Sequence, residues 1–244
     1  MIGPSSESDE HELVPGATLE AALTRLRRRL VTEASYAIQM LESSLQALWE
    51  ADPERAAEVR AREERIDVED VAIEQEVLRL MTLQQPFAHD FRLLTFCLKV
   101  NLDVERVADH ASSIAKMVRK LASQGRVDWP TSLRDMGERV PAMCHDLLRA
   151  VLGEDVEQAR QTIAADKVID QLDKRLFEEI KAWIAADPGA VDHALHAYRV
   201  GRELERVGDL MANIAEDVVY LATGTIVRHT KRKPGRAGEA PGSG

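Results

Sequence analysis

Val104-Glu105-Arg106-Val107-Ala108-Asp109 recurs almost unchanged as Leu204-Glu205-Arg206-Val207-Gly208-Asp209, at an offset of 100 residues. An ungapped comparison of Glu105–Leu121 with Glu205–Leu221 holds eight identities in seventeen positions. They include Ile114/Ile214, Ala115/Ala215, Val118/Val218 and Leu121/Leu221, so the match extends well past one hexapeptide. A period near one hundred residues is too long for a solenoid unit and marks a duplicated domain.

Outward from this repeat the chain reads as helix. Leu19, Leu23, Leu26, Leu30, Ile38, Leu41, Leu45 and Leu48 keep three- and four-residue steps from near Thr18 to about Glu50. Asp52-Pro53-Glu54 is a stop and restart, with Asp52 as N-cap and Pro53 in the first turn of a second helix over about 53–82. Gln85-Pro86 ends it, and a third helix runs from near Asp90 to about Ser123. After Trp129-Pro130 the pattern repeats: a helix over roughly 131–153, one capped by Glu154-Asp155 to about 186, a turn at Asp187-Pro188-Gly189, and a last helix to Thr223-Gly224. Asp52 pairs with Asp155, Glu63 with Asp166 and Asp67 with Asp170, at an offset of 103. Three helices per half with short connections give two tandem antiparallel three-helix bundles, an all-α fold. The expected division is a disordered acidic lead (1–16), a first bundle (17–125), a second (126–226) and a flexible basic tail (227–244).

Composition narrows the function. Of 244 residues, 45% are apolar and 30% charged but only 4% aromatic, which favours helix over sheet. A net charge of −10 argues against a general nucleic-acid binder, which needs clustered Lys and Arg, and suits cations. Cys97 and Cys144 lie in apolar periodic segments and read as small buried hydrophobes of a reducing compartment. No apolar run approaches the ~18 residues of a membrane span. The acidic start does not resemble a secretory signal, so the cytoplasm is expected.

Acids recur at equivalent places in both halves. Glu63/Asp67, Glu105/Asp109, Asp166/Asp170 and Glu205/Asp209 are i,i+4 pairs, with Asp70 and Asp173 seven residues beyond the first acid of each second-helix pair. The apolar seam of the third helix is Val100, Val104, Val107, Ala111, Ile114, Val118 and Leu121, matched by Val200, Leu204, Val207, Met211, Ile214, Val218 and Leu221. Glu105 and Asp109 follow seam residues by one position, about 100° round, so they flank the packing surface. Anionic oxygens gathered there repel unless a cation neutralises them, and Mg²⁺, Mn²⁺, Ca²⁺ or iron suits all-oxygen ligation. Arg106 and Arg206 adjoin the acids, so an internal salt-bridge network is the competing reading. His110 has Leu210 as its counterpart and is not part of a repeated site; His193 and His196 read as surface residues. No Glu precedes a His by three residues, so the ligands of carboxylate-bridged di-iron oxidases are missing. With no phosphate-cradling glycine loop, nucleophile elbow or zinc spacing either, the site reads as binding without catalysis.

Gln84-Gln85-Pro86-Phe87-Ala88-His89-Asp90-Phe91-Arg92 followed by Leu102–His110 resembles the first half of the PhoU family. Arg202–Asp209 with Asn213–Gly224 resembles the second. The likeness spans roughly 17–226. It implies a cytoplasmic, non-enzymatic regulator that dampens phosphate uptake and the phosphate-starvation response. In such proteins the partners are the ATPase subunit of the high-affinity phosphate ABC transporter and a sensor histidine kinase. The expected assembly is a dimer that reaches the membrane only through those partners. The family's Glu/Asp-x-x-x-Asp metal motifs fall on Glu63/Asp67, Glu105/Asp109, Asp166/Asp170 and Glu205/Asp209; a metal-free adaptor whose acids form only salt bridges is the alternative. Ala108 stands where the family has Gly, widening the helix approach by about a methyl group. Leu210 stands where His is common and removes a possible ligand or hydrogen-bond partner, so the resemblance implies metal binding less firmly for the second bundle than for the first.

Overall fold

The computed structural model describes residues 18–121 and 127–227. Among the described residues seven α-helices follow one another: α1 (Leu19–Glu50), α2 (Pro53–Ala61), α3 (Glu63–Gln84), α4 (Ala88–Leu121), α5 (Thr131–Gly153), α6 (Val156–Ala186) and α7 (Val191–Thr223). A 3₁₀ turn, Pro188–Ala190, joins the last two. Among the described residues there is no strand, and no helix is long and apolar enough to cross a membrane. The acidic lead and the tail from Arg228 lie outside the described residues, as does the end expected for the third helix beyond Leu121.

In the first half α1, α2 and α3 all pack on α4; in the second α5 and α6 pack on α7. The halves join through α4 against α7, with α1 touching α5. Every residue of both seams, Val100 through Leu121 and Val200 through Leu221, is at most 5% exposed. One continuous core runs through both halves.

The repeat is visible in its corners. Ala51 and Glu154, equivalent in the duplication, both take left-handed conformation (φ 53° and 50°) and end α1 and α5. The next residue in each case, Asp52 or Asp155, accepts two backbone N–H groups of the following helix at 2.9–3.0 Å. These capping bonds satisfy N–H groups that the helix itself leaves unpaired. Two arginines tie the halves end to end. Arg27 of α1 donates to the Val151 and Leu152 carbonyls and pairs with Glu154 at 3.0 Å. Arg92 of α4 donates to the Leu221 carbonyl at 3.1 Å. Both place a cation at a helix C-terminus, where the free carbonyls carry negative charge.

One expected element is corrected. The single helix over 53–82 is two helices, broken at Arg62, and its second part continues to Gln84. No glycine or proline marks the break. At Arg62 the backbone tightens (φ −86°, ψ −12°), with its N–H turned to the Val59 carbonyl at 3.2 Å. Flanking arginines are drawn across α1, Arg65 lying 3.9 Å and Arg62 6.0 Å from the Tyr36 ring. The counterpart in the second half, α6, is unbroken.

At Gly201 of α7 a side chain of α6 fills the space that a methyl group would need. A Cβ there would lie 2.2 Å from Cδ2 of Leu176, which is itself fully buried and has nowhere to go. Gly201→Ala is therefore expected to lower stability by about 1–3 kcal/mol. Gly153→Ala, whose new methyl would meet its nearest atom at 3.9 Å, stays within about 1 kcal/mol of the parent. Urea unfolding of the two variants checks this.

Candidate metal centre

The seam register decides where the acids go. Val104, Val107 and Ala108 face the core, and Glu105 and Asp109 emerge beside them towards α3; Glu205 and Asp209 do the same towards α6. Each half thus gathers its acids in the cleft between two neighbouring helices.

In the second half the gathering is tight. Asp166, Asp170 and Asp209 each offer a carboxylate oxygen, and the three oxygens lie within 4.8 Å of one another. Burial pushes the Asp209 carboxyl up, and the Asp170 charge adds to it. Glu205 is also pushed up, first by burial and then by Asp209 and Asp173, against the pull of Arg202. Arg202 bridges Asp173 and Glu205 at 3.1 Å each. The other oxygen of each acid, Asp173 Oδ1 and Glu205 Oε2, is buried without a hydrogen-bond partner. This donor set is hard, anionic and incompletely satisfied, and it fits a hard cation whose remaining positions are filled by water.

The first half is looser. Glu63 accepts from Ser112 Oγ at 2.9 Å and lies 3.9 Å from Lys116. Asn101 donates to Asp70 Oδ1 at 2.6 Å. Among the described residues no three first-half acids bring oxygens as close together as Asp166, Asp170 and Asp209 do. The charges still act on each other. Glu105 is pushed up by burial and by Asp109, Asp70 and Asp67, and Asp109 by burial and by Glu63 and Asp67.

The halves also differ at the residue before the second acid. A Cβ on Gly208 would stand 3.3 Å from Asp166 Oδ1 and 3.4 Å from Ile169 Cγ2, tight contacts that the bare glycine avoids. In the first half that place holds the buried Ala108. The tighter cluster sits in the half that lacks the histidine.

Arg106 and Arg206 do not take up the clustered acids: Arg106 bridges Asp103 at 3.3 Å and Arg206 bridges Glu203 at 3.7 Å. Arg202, whose role the sequence pattern did not reveal, is the arginine at the site. His110 is half-buried and takes a structural part. Its Nδ1 lies 2.6 Å from Glu203 Oε2, joining α4 to α7 across the halves. Burial alone pushes Glu203 up, but the bond and charge of His110, with Arg206 and Arg199, outweigh it and hold the carboxyl down. His193 and His196 are half-buried at the start of α7 rather than on the surface. Cys97 and Cys144 are buried free thiols, pushed up to about 12 by burial.

Fold and site together define an all-helical scaffold, built twice, with a carboxylate cleft in each copy. Comparison with known proteins supplies the family. The PhoU domain matches twice, over residues 30–118 and 133–218, and the chain belongs to the PhoU family. It is 32% identical over 207 residues to a phosphate-specific transport system accessory protein PhoU homolog of Deinococcus radiodurans, covering 85% of this chain and 97% of the relative. The Escherichia coli accessory protein PhoU is 27% identical, over 86% of this chain and 87% of its own. The crystal structure of PhoU from Pseudomonas aeruginosa superposes with a TM-score of 0.81 at 30% identity, covering 85% of this chain and 100% of the other. The phosphate transport system regulatory protein PhoU from Streptococcus pneumoniae follows at 0.80 and 28%, covering 86% and 99%.

The acid clusters oppose folding at neutral pH. A carboxyl whose folded value lies above its ordinary 4.5 holds its proton more tightly in the folded state. Its ionisation therefore destabilises the fold as pH rises through that window, with no effect where both states are protonated. Metal-free Glu105→Gln is expected to be more stable than the parent at neutral pH, by up to about 1 kcal/mol, with the gain vanishing in acid. Thermal melts in a chelator across pH check the sign.

Proposed function

We propose that this chain is a non-enzymatic accessory regulator of phosphate-specific transport. In this reading it restrains phosphate uptake and the starvation response by engaging the transporter's ATPase subunit and the sensor histidine kinase. It works in the cytoplasm as a dimer and meets the membrane only through those partners. The observation that carries this reading is the two-domain correspondence, over nearly the full length, with relatives named as accessory or regulatory proteins of phosphate transport.

The clefts are proposed as cation sites. Asp166, Asp170 and Asp209, with Glu205 beside them, would hold the ion in the second half, and Glu63, Asp67, Glu105 and Asp109 in the first. A bound divalent or iron-type cation supplies positive charge that offsets the repulsion among these acids. With that repulsion offset, Asp166 and Asp170 hold α6 on α7, and the helix arrangement presented to partners shifts in population. A metal-free adaptor is the second reading, and Arg202 favours it, since its guanidinium already neutralises part of the second cleft.

Calorimetric titration with Mn²⁺, Fe²⁺ and Mg²⁺ separates the two. Asp209→Asn is expected to abolish the tighter of two binding events, and Glu105→Gln/Asp109→Asn the weaker one. Gly208→Ala is expected to loosen the tighter event by roughly tenfold, about 1.4 kcal/mol. Binding unchanged in all three variants would discard the cation sites and leave the adaptor reading standing. The regulatory role is tested separately, by capture of partners from phosphate-rich and phosphate-starved cells. Failure to retain either the ATPase subunit or the kinase in both conditions would refute it.

A further inference from the structure

Glu33 of α1 is only 3% exposed, yet its Oε1 has no hydrogen-bond partner. Oε2 lies 3.8 Å from Arg65 Nη2 of α3, beyond hydrogen-bond length. The charged groups acting on it are Arg65 and Glu69 of α3 and Arg29 of α1 itself; α2, α4 and α5, which also pack against α1, contribute none among the described residues. Arg29 is engaged elsewhere, and Arg65 is shared between Glu33 and an aromatic ring. Arg29 is bound to Glu69 at 2.6 Å and Glu76 at 2.8 Å, and the Arg65 guanidinium lies over the Tyr36 ring.

The duplication shows how unusual this position is. Aligned through Asp52 and Asp155, Leu30 matches Leu133, Ala37 matches Val140 and Met40 matches Met143, all buried. Glu33 matches Met136, which is fully buried in the second core. A carboxyl group thus occupies the place of a core methionine. The half that carries it is also the half whose second helix is broken, at Arg62, three residues before Arg65. Glu63 and Asp67, on the first turns of α3 beyond that break, move with whatever moves this end of the helix.

We propose that Glu33 is a proton-operated latch on α3. Protonated, it seats the N-terminal turns of α3 against α1. Ionised, it drives that end outward about the break at Arg62 and so resets Glu63 and Asp67 against Glu105 and Asp109 of α4. The rest of α3 stays anchored, because Arg25 and Arg29 hold Glu76 at 3.2 and 2.8 Å. The device needs no metal and stands apart from occupancy of the clefts.

Its working range follows from the surroundings. Burial pushes the Glu33 carboxyl up to about 7, with Glu69 adding to the effect against Arg65 and Arg29. The folded state thus prefers the protonated form. The latch is fully closed at acid pH, and its contribution is lost as pH rises from the ordinary carboxylate value through neutrality.

The test is carried out on the full chain in a chelator. Carbon-detected NMR follows the Glu33 side-chain carboxyl, and hydrogen exchange, corrected for intrinsic rates, follows the amides at the start of α3. The carboxyl is expected to titrate at about 7. Protection at the start of α3 is expected to fall on the order of tenfold between about pH 5.5 and about pH 8 in the parent, and to stay level in Glu33→Gln. Titration at an ordinary carboxylate value, or the same pH profile in parent and variant, overturns the proposal. Glu33→Met, which installs the residue of the second half, replaces Glu33→Gln if that variant fails to fold, and the parent titration decides in either case.

Discussion

Burial of one apolar seam in each half, along α4 and along α7, is the constraint from which the rest of the molecule follows. Val100, Val104, Val107, Ala111, Ile114 and Val118 must face inward because the molecule has few aromatics and builds its core from aliphatic side chains. Once they do, helix geometry leaves no freedom for Glu105 and Asp109. They emerge at the rim of the seam, where the next helix also turns its acids. The same register repeats around Val207, Glu205 and Asp209. Charge concentration in the clefts is therefore a consequence of how the core is packed, and the core's stability is what holds the acids together.

That arrangement places a cost beside an asset. Glu105, Asp109, Glu205 and Asp209 are all held above their ordinary carboxylate values by burial and by one another, so each cleft carries unfavourable energy at neutral pH. A long apolar core can sustain such sites, and strained or repulsive clusters are where a protein is poised to respond to a ligand or a proton. Glu33 belongs to the same logic in a different place. It is an acid in a core position of α1, in the half whose cleft is looser and whose second helix is interrupted.

Much of this was legible from the residues alone. The duplication, the all-helical chain, the Asp52 and Asp155 caps and the seam all depend on local periodicity and on side chains acting within a few positions of themselves. What escaped were contacts set by partners distant in the chain. Arg202 rather than Arg206 reaches the second cleft, because its neighbour Asp173 comes from another helix. His110 finds Glu203 across the two halves. Glu33 sits on a helix whose polar positions are common, and only the packing of the folded chain makes that one buried.

The sequence by itself determined that the chain is helical and built twice, that each copy carries acids beside an apolar seam, and that its relatives serve phosphate transport. Those properties reside in spacing, and spacing survives without coordinates. Only the tertiary structure decided which cleft is tight, which arginine enters it, where the second helix breaks and which carboxyl loses its water. Each of these depends on distances of a few tenths of an ångström to a few ångströms between helices far apart in sequence, and no local pattern encodes such distances.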